Sequence, residues 1–399
     1  MGKVLKFPEN FLWGSSTSAY QVEGGIEKSD WSKFADAGVA CDHYHRYEED
    51  FDILEHLSQN AYRFSIEWSR IEPQEGKFDQ KEIEHYQKVV LALKKKNILP
   101  FVVLYHFTLP LWFQKKGGWL TYGSEKYFAR YCQKIFQALG SEVRYWITIN
   151  EPMVYLTNSY LRAKWPPFKK NIFKAKKALN NLINAHKLAY HIIHTNNPTA
   201  KIGVSKNVAC FSPYTNRLSD KILVFLANYF WNNYFLIKIK DYQDFIGINY
   251  YFYNKLKFCF KGLLLSGGFP ESFYCNANSG KVSDIGWRIE PKGIYCAIKN
   301  ASSFKKPIYI TENGLADRED KLRKEFIKQH LFWVHRAIEE GIDILGYFHW
   351  SLMDNFEWEK GFNPRFGLVE INYKTLARKI RPSAFYYAKI CKNNALIMD

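Results

Sequence analysis

The chain has 399 residues, 47% of them hydrophobic and 24% charged, which excludes a disordered polymer, a collagen-like repeat and a small disulfide scaffold. Aromatic residues reach 18%, a level that suits ring-lined surface such as carbohydrate sites use. The charge is lopsided: 56 Lys and Arg against 39 Asp and Glu give +17, a field that attracts nucleic acid, anionic membrane or acidic polymers. The basic residues form small groups at 94–96, 169–177, 305–306 and 321–328. No nucleic-acid fold signature surrounds them, so a solvated basic surface is expected, with an anionic partner as the alternative.

Taken in chain order, short apolar or β-branched runs alternate with longer amphipathic stretches. The runs fall at 11–15, 62–66, 100–105, 145–149, 201–205, 244–249, 307–311 and 344–348. Helical patterns lie between them, at 45–57, 83–95, 124–140, 172–194 and 321–340; in the last, Phe326, His330, Trp333 and Ala337 recur at three- and four-residue steps. Such alternation predicts parallel βα units. Eight of them predict a closed α/β barrel, a single (β/α)8 TIM barrel over residues 1–399, since no linker divides the chain and no dinucleotide-binding glycine fingerprint appears.

Residues 1–10 lack a signal-peptide apolar core. No stretch is apolar enough for a spanning helix. The nearest case, 222–237, is interrupted by Asn228, Asn232 and Asn233; it reads as a core or lid helix, or as an interfacial membrane helix. The seven cysteines are odd in number and show no Cys-x-x-Cys spacing, which fits reduced thiols and a cytoplasmic setting.

A barrel puts its chemistry at the carboxyl ends of its strands. Here the runs end in polar groups: Glu67 and Trp68, His106, Asn150-Glu151-Pro152, Asn249-Tyr250-Tyr251, Glu312-Asn313-Gly314 and His349-Trp350. Strands 4 and 7 lie across a closed barrel, so Glu151 and Glu312 can face each other over its axis. Paired carboxylates suit glycosidic cleavage: one, neutral, protonates the departing oxygen, and the other, ionised, meets the oxocarbenium-like carbon. Surroundings that push the two pKa values apart assign the roles.

Six segments in order resemble the family 1 glycoside hydrolases, the β-glucosidase family. They are Phe11-Leu12-Trp13-Gly14 with Thr17-Ser18-Ala19-Tyr20-Gln21-Val22-Glu23-Gly24; Tyr62-Arg63-Phe64-Ser65-Ile66; Thr148-Ile149-Asn150-Glu151-Pro152; Asp244-Phe245-Ile246-Gly247-Ile248-Asn249-Tyr250-Tyr251; Ile310-Thr311-Glu312-Asn313-Gly314; and Trp350-Ser351-Leu352-Met353-Asp354-Asn355-Phe356-Glu357-Trp358. The resemblance implies a retaining β-glycosidase of the β-glucosidase kind, acting on terminal non-reducing β-glucosyl units of a small glycoside or short oligosaccharide, without cofactor. It implies Glu312 as nucleophile and Glu151 as acid and then base, with the carboxyls roughly 5–5.5 Å apart. Arg63 would keep Glu312 ionised, Tyr251 would donate to the same carboxylate, and Asn150 would bind the sugar 2-hydroxyl. Gln21, His106 and Glu357 would read the other hydroxyls, over Trp350 as an apolar platform, with Trp358 lining the pocket and Trp287 walling the aglycone side. A carboxylate at Glu357 would repel a sugar phosphate, so an unphosphorylated glycone is expected.

Two departures stand out. The family's His-Trp is His106-Phe107 here, which removes an indole N–H donor and some stacking area. The chain is also shorter than the family's usual length, with the loss expected in the loops after strands 5 and 6, the latter over 253–270. Plain readings compete at several positions: Trp350 and Trp358 as core aromatics, His106 as a core histidine, Arg63 as a structural ion-pair partner. Asp42-His43-Tyr44-His45 looks like a metal cluster, but histidines two apart do not share a helical face, and no metal is expected there or at His186, His191 and His194. The alternatives to a working glycosidase are a sugar-binding barrel with weak or lost turnover and a basic scaffold for an anionic polymer.

Overall fold

The eight apolar runs become eight parallel strands that close on themselves. In chain order they are Leu12–Ser16, Ala61–Ser65, Leu99–Val103, Tyr145–Asn150, Lys201–Asn207, Phe245–Tyr250, Ile308–Asn313 and Ile344–Trp350, called barrel strands 1 to 8. Each pairs with its sequence neighbours, and strand 8 pairs with strand 1. The computed structural model describes residues 2–258, 274–275 and 280–398; the expectation for the loop after strand 6 falls outside them from residue 259 to 270.

Continuous burial explains the apolar runs. Strands 2, 6 and 7 are buried at every position, because the interior covers one face and the helices the other. Phe101, Tyr145, Phe245, Tyr309 and Phe348 pack together inside the barrel. The rings of Phe101 and Tyr145 stack at 4.3 Å, and Phe348 lies 4.9 Å from Phe101. Tyr145, Phe245 and Tyr309 hold the first or second places of their strands, so this aromatic plug fills the amino-terminal end.

The helices follow the amphipathic pattern. Gln80–Lys95 buries Ile83, Tyr86, Val89, Val90 and Leu93; Asp79 caps it by accepting from Lys81 and Glu82 N–H, and Lys94 and Lys95 sit where the dipole favours cations. The last predicted helix starts two residues late, at Arg323, because the Asp317 carboxylate takes the N–H groups of Lys321, Leu322 and Arg323. The helix expected from residue 45 begins at His43. The stretch expected at 222–237 is helical over Leu218–Ala227 and Tyr234–Ile239, joined by a π-helical turn, Asn228–Asn233.

The loop after strand 8 is braced from inside. Asp354 receives Arg381 at 2.8 and 3.0 Å and Arg365 at 3.2 Å. This buried network fixes the segment that presents Glu357 and Trp358.

Candidate active site

The two carboxylates leave their strands at irregular points. The pairing register slips between Ile147 and Asn150 on strand 4 and between Ile310 and Glu312 on strand 7. Such bulges re-aim side chains beside functional sites. Glu151 also holds a left-handed backbone, φ 44°, before Pro152 opens a short helix. Its N–H donates to Ser205 O at 2.7 Å, so the strained turn is tied to strand 5. After Glu312, only glycine fits at 314: a Cβ there would lie 1.7 Å from Trp350 O.

Glu312 is buried and held from two sides. Arg63 Nη1 donates to Oε1 at 2.6 Å, and Tyr251 Oη donates to Oε2 at 2.8 Å. Burial raises its pKa, while Arg63, Tyr251 and Asn249 pull it back. Arg63 is itself fully buried and donates through Nη2 to Asn150 Oδ1 at 2.7 Å and Ser205 Oγ at 3.1 Å.

Glu151 has no such clamp. Its Oε1 accepts from two amides, Asn249 Nδ2 at 3.0 Å and Asn207 Nδ2 at 3.1 Å. Burial and the charge of Glu312 push it up to about 7, against the two amides and the Lys206 ammonium. Desolvation therefore acts on both acids, but only one carries a hydrogen-bonded cation. The guanidinium thus opposes the rise at Glu312, while Glu151 has only amides and the Lys206 ammonium against its burial.

Around the pair, Asn150 Nδ2 lies 3.0 Å from His106 Nε2. Burial and Arg63 hold His106 well below the usual histidine range, so the ring is neutral. With Nε2 accepting, the proton sits on Nδ1, and Nδ1 has no partner among the described residues: a buried donor free for a hydroxyl. Gln21 Nε2 donates to Asn355 Oδ1, Phe356 O and Glu357 Oε2 at 2.9, 2.9 and 3.2 Å. Burial, with Glu312 next, pushes Glu357 up to about 8. Trp350 and Trp358 each stack on His106, at 6.1 and 5.9 Å. Trp287 packs on Tyr251 at 5.7 Å and Phe252 at 4.7 Å.

All eleven singled-out residues thus fall into two sets. Arg63, Asn150, His106, Tyr251 and Glu312 form one hydrogen-bonded web, which Glu151 joins through Asn249; Trp350 and Trp358 pack on its His106 and Trp287 on its Tyr251, while Gln21 and Glu357 pair with each other. Phe107 is buried between Trp165 at 5.0 Å and Trp358 at 5.2 Å, so a second indole occupies space beside the missing one. Trp165 Nε1 donates to Glu359 at 2.6 Å.

Other strand-end residues do not join. Glu67 turns into the wall, accepting from Ser69 and Thr108. His43 and His45 pair separately with Asp50 and Asp42, and His186 bridges Thr148 and Tyr242 O. Among the described residues no group of three His, Cys, Asp or Glu is placed to hold a metal. Sequence reading missed Lys206 and Asn207. Lys206 is fully buried on strand 5, with Nζ 2.6 Å from Asn207 O and 5.4 Å from the Trp231 ring. Burial lowers it to about 7, against the pull of Glu151. The available signal was a lysine inside an otherwise buried strand.

The family described as Glycosyl hydrolase family 1 matches residues 4–238 and 233–396. A 1,4-β-D-glucan glucohydrolase of Thermotoga neapolitana is 35% identical over 453 aligned positions, spanning 98% of this chain and all of that protein. The alignment is longer than the chain's 399 residues, so that relative carries segments absent here. A β-glycosidase from Pyrococcus horikoshii superimposes with a TM-score of 0.92 at 40% identity, covering 100% of this chain and 97% of the other. The β-glucosidase from Thermotoga maritima in complex with glucoimidazole gives 0.91 at 32% identity, covering 98% and 99%.

Proposed function

The chain belongs to glycosyl hydrolase family 1, and on that premise we propose that Glu312 is the nucleophile and Glu151 the acid and base of a retaining β-glucosidase. The enzyme hydrolyses terminal, non-reducing β-D-glucosyl residues by double displacement. Glu312 attacks the anomeric carbon while Glu151 protonates the departing oxygen. The aglycone leaves, and Glu312 becomes a neutral ester. Glu151 then loses the neighbouring charge that raised its pKa, so it ionises and takes a proton from the incoming water. Water attacks the same carbon, the ester bond breaks, and glucose leaves with its configuration retained.

The observation that carries this reading is the asymmetry of the two acids: a guanidinium at 2.6 Å on Glu312 and only amides on Glu151. Arg63 orders Asn150, which offers its amide to the 2-hydroxyl. His106 Nδ1–H, Gln21 and Glu357 read the remaining hydroxyls, Trp350 and Trp358 supply the apolar floor, and Trp287 flanks the aglycone. Burial keeps Glu357 largely protonated below about pH 8, and an acid in that place offers a sugar phosphate no cation, which favours an unphosphorylated sugar. The chain acts as one barrel domain, and its missing length lies in the loops after strands 5 and 6, leaving a wide entrance with low aglycone selectivity. The free thiols of Cys41, Cys132, Cys210, Cys296 and Cys391 suit a reducing, cytoplasmic setting.

Azide rescue tests the roles. Glu312→Gly should abolish turnover of a chromogenic β-glucoside, and azide should restore product of inverted configuration. Glu151→Gly should keep glycosylation by substrates with good leaving groups, and azide should give retained product. Wild-type rates in either variant would refute the assignment.

A further inference from the structure

Large apolar side chains are exposed unevenly over this molecule, and they gather on the connections that leave the carboxyl ends of the strands. The helical stretch after strand 5 carries the densest set. Leu218 is 72% exposed and Phe225 69%, with Ile222, Leu226, Tyr229 and Phe230 also open. Steps of four, three and four residues put Leu218, Ile222, Phe225 and Tyr229 on one stripe. The opposite side buries Leu223, Ala227, Phe235 and Leu236. A surface helix ordinarily turns polar residues outward; this one is apolar on both sides. The loop after strand 4 repeats the pattern with Phe168, Ile172 and Phe173, the last 79% exposed. Phe34, from the connection after strand 1, packs on Phe168 at 4.8 Å. An exposed apolar surface of this extent marks an interaction site.

The charge of the same region identifies the partner. Between Glu151 and Asp241 the chain holds fourteen Lys and Arg and one acid, Asp220. That acid is buried and spent on Thr215 and the N–H of Phe258. Lys169, Lys170 and Lys174 flank Ile172 and Phe173, and Arg217 and Lys221 flank Leu218, all exposed. Protruding apolar chains set among cations match the acyl boundary and headgroups of an anionic bilayer. A second copy would instead press like charges together, which opposes a two-fold contact. We propose that the rim formed by the connections after strands 4 and 5 is a docking surface for an anionic lipid bilayer, with the barrel mouth turned toward the membrane.

The test is co-sedimentation of the whole chain with vesicles of phosphatidylcholine, alone or mixed with phosphatidylglycerol, over a salt series. Binding to mixed vesicles should far exceed binding to the neutral ones and fall as salt rises. Joint replacement Leu218→Ser, Ile222→Ser and Phe225→Ser should weaken partitioning by at least about 30-fold, while hydrolysis of a soluble chromogenic β-glucoside stays unchanged. Phe225→Trp, a milder change, should show blue-shifted emission on mixed vesicles. No sedimentation, sedimentation indifferent to the triple change, or an unshifted Phe225→Trp spectrum would overturn the proposal. So would light scattering that shows a dimer which the triple change converts to monomer, because the face would then belong to a second copy.

Discussion

The Arg63 guanidinium meets the Glu312 carboxylate at 2.6 Å, with the side chains 0% and 5% exposed. Removing one partner of a buried pair leaves an uncompensated charge and costs about 3–5 kcal/mol. Arg63→Met should therefore lower the melting temperature. It should also move the acid limb of the pH–rate curve upward, because Glu312 loses the cation that opposes its desolvation. Arg63→Lys keeps the charge and loses the fork, so it should retain more of the acid limb than of the rate.

On the proposed roles, the basic limb is set by Glu151. Activity in kcat/KM should fall as pH rises through about 7, where that acid gives up its proton. Lys206 lowers this value, so Lys206→Met should shift the limb to higher pH. A thermal melt read beside the profile separates a titration effect from a folding defect. An unmoved limb in a folded variant would show that the ammonium does not act on Glu151.

Glu357, which accepts from Gln21 at 3.2 Å, is proposed to read a sugar hydroxyl. Replacement Glu357→Ala should lower kcat/KM for a β-glucoside at neutral pH by roughly 2- to 12-fold, the equivalent of about 0.5–1.5 kcal/mol for a hydrogen bond to a neutral group. Discrimination against a 6-phosphorylated glucoside should fall in the same variant above about pH 8, where the wild-type side chain is charged. Steady-state kinetics on the two substrates would measure both.

Gly314 has no room for a methyl group beside Trp350 O. Gly314→Ala should destabilise the fold by about 2 kcal/mol or more and displace Trp350, which stacks on His106. Thermal denaturation and KM should change together.

The barrel was legible because its strands are buried on both faces and read as short, mostly apolar runs, from Ala61–Ser65 to Ile344–Trp350. The site was legible because topology places strand ends at one mouth, so polar residues such as Glu151 and Glu312 announced themselves by position. That logic over-reached at Glu67, whose partners Ser69 and Thr108 take it into the wall. It under-reached at Lys206, since a lysine among many lysines reads as solvated surface, and only packing against Trp231 and Asn207 shows otherwise. The bulges that aim the two acids were also invisible, because register belongs to pairs of strands and not to one segment. The stretch 222–237 stayed ambiguous for a physical reason: its composition suits burial on either side, and only the packing of the fold decides which side is open.

The aromatic plug of Phe101, Tyr145, Phe245, Tyr309 and Phe348 stops the barrel at its far end. A vessel sealed at the bottom has one door. The alcohol released first must back out along the route by which water arrives, so the glycosyl ester waits on traffic as well as on chemistry. An alcohol still lingering at that threshold stands on the path of the water bound for the same carbon.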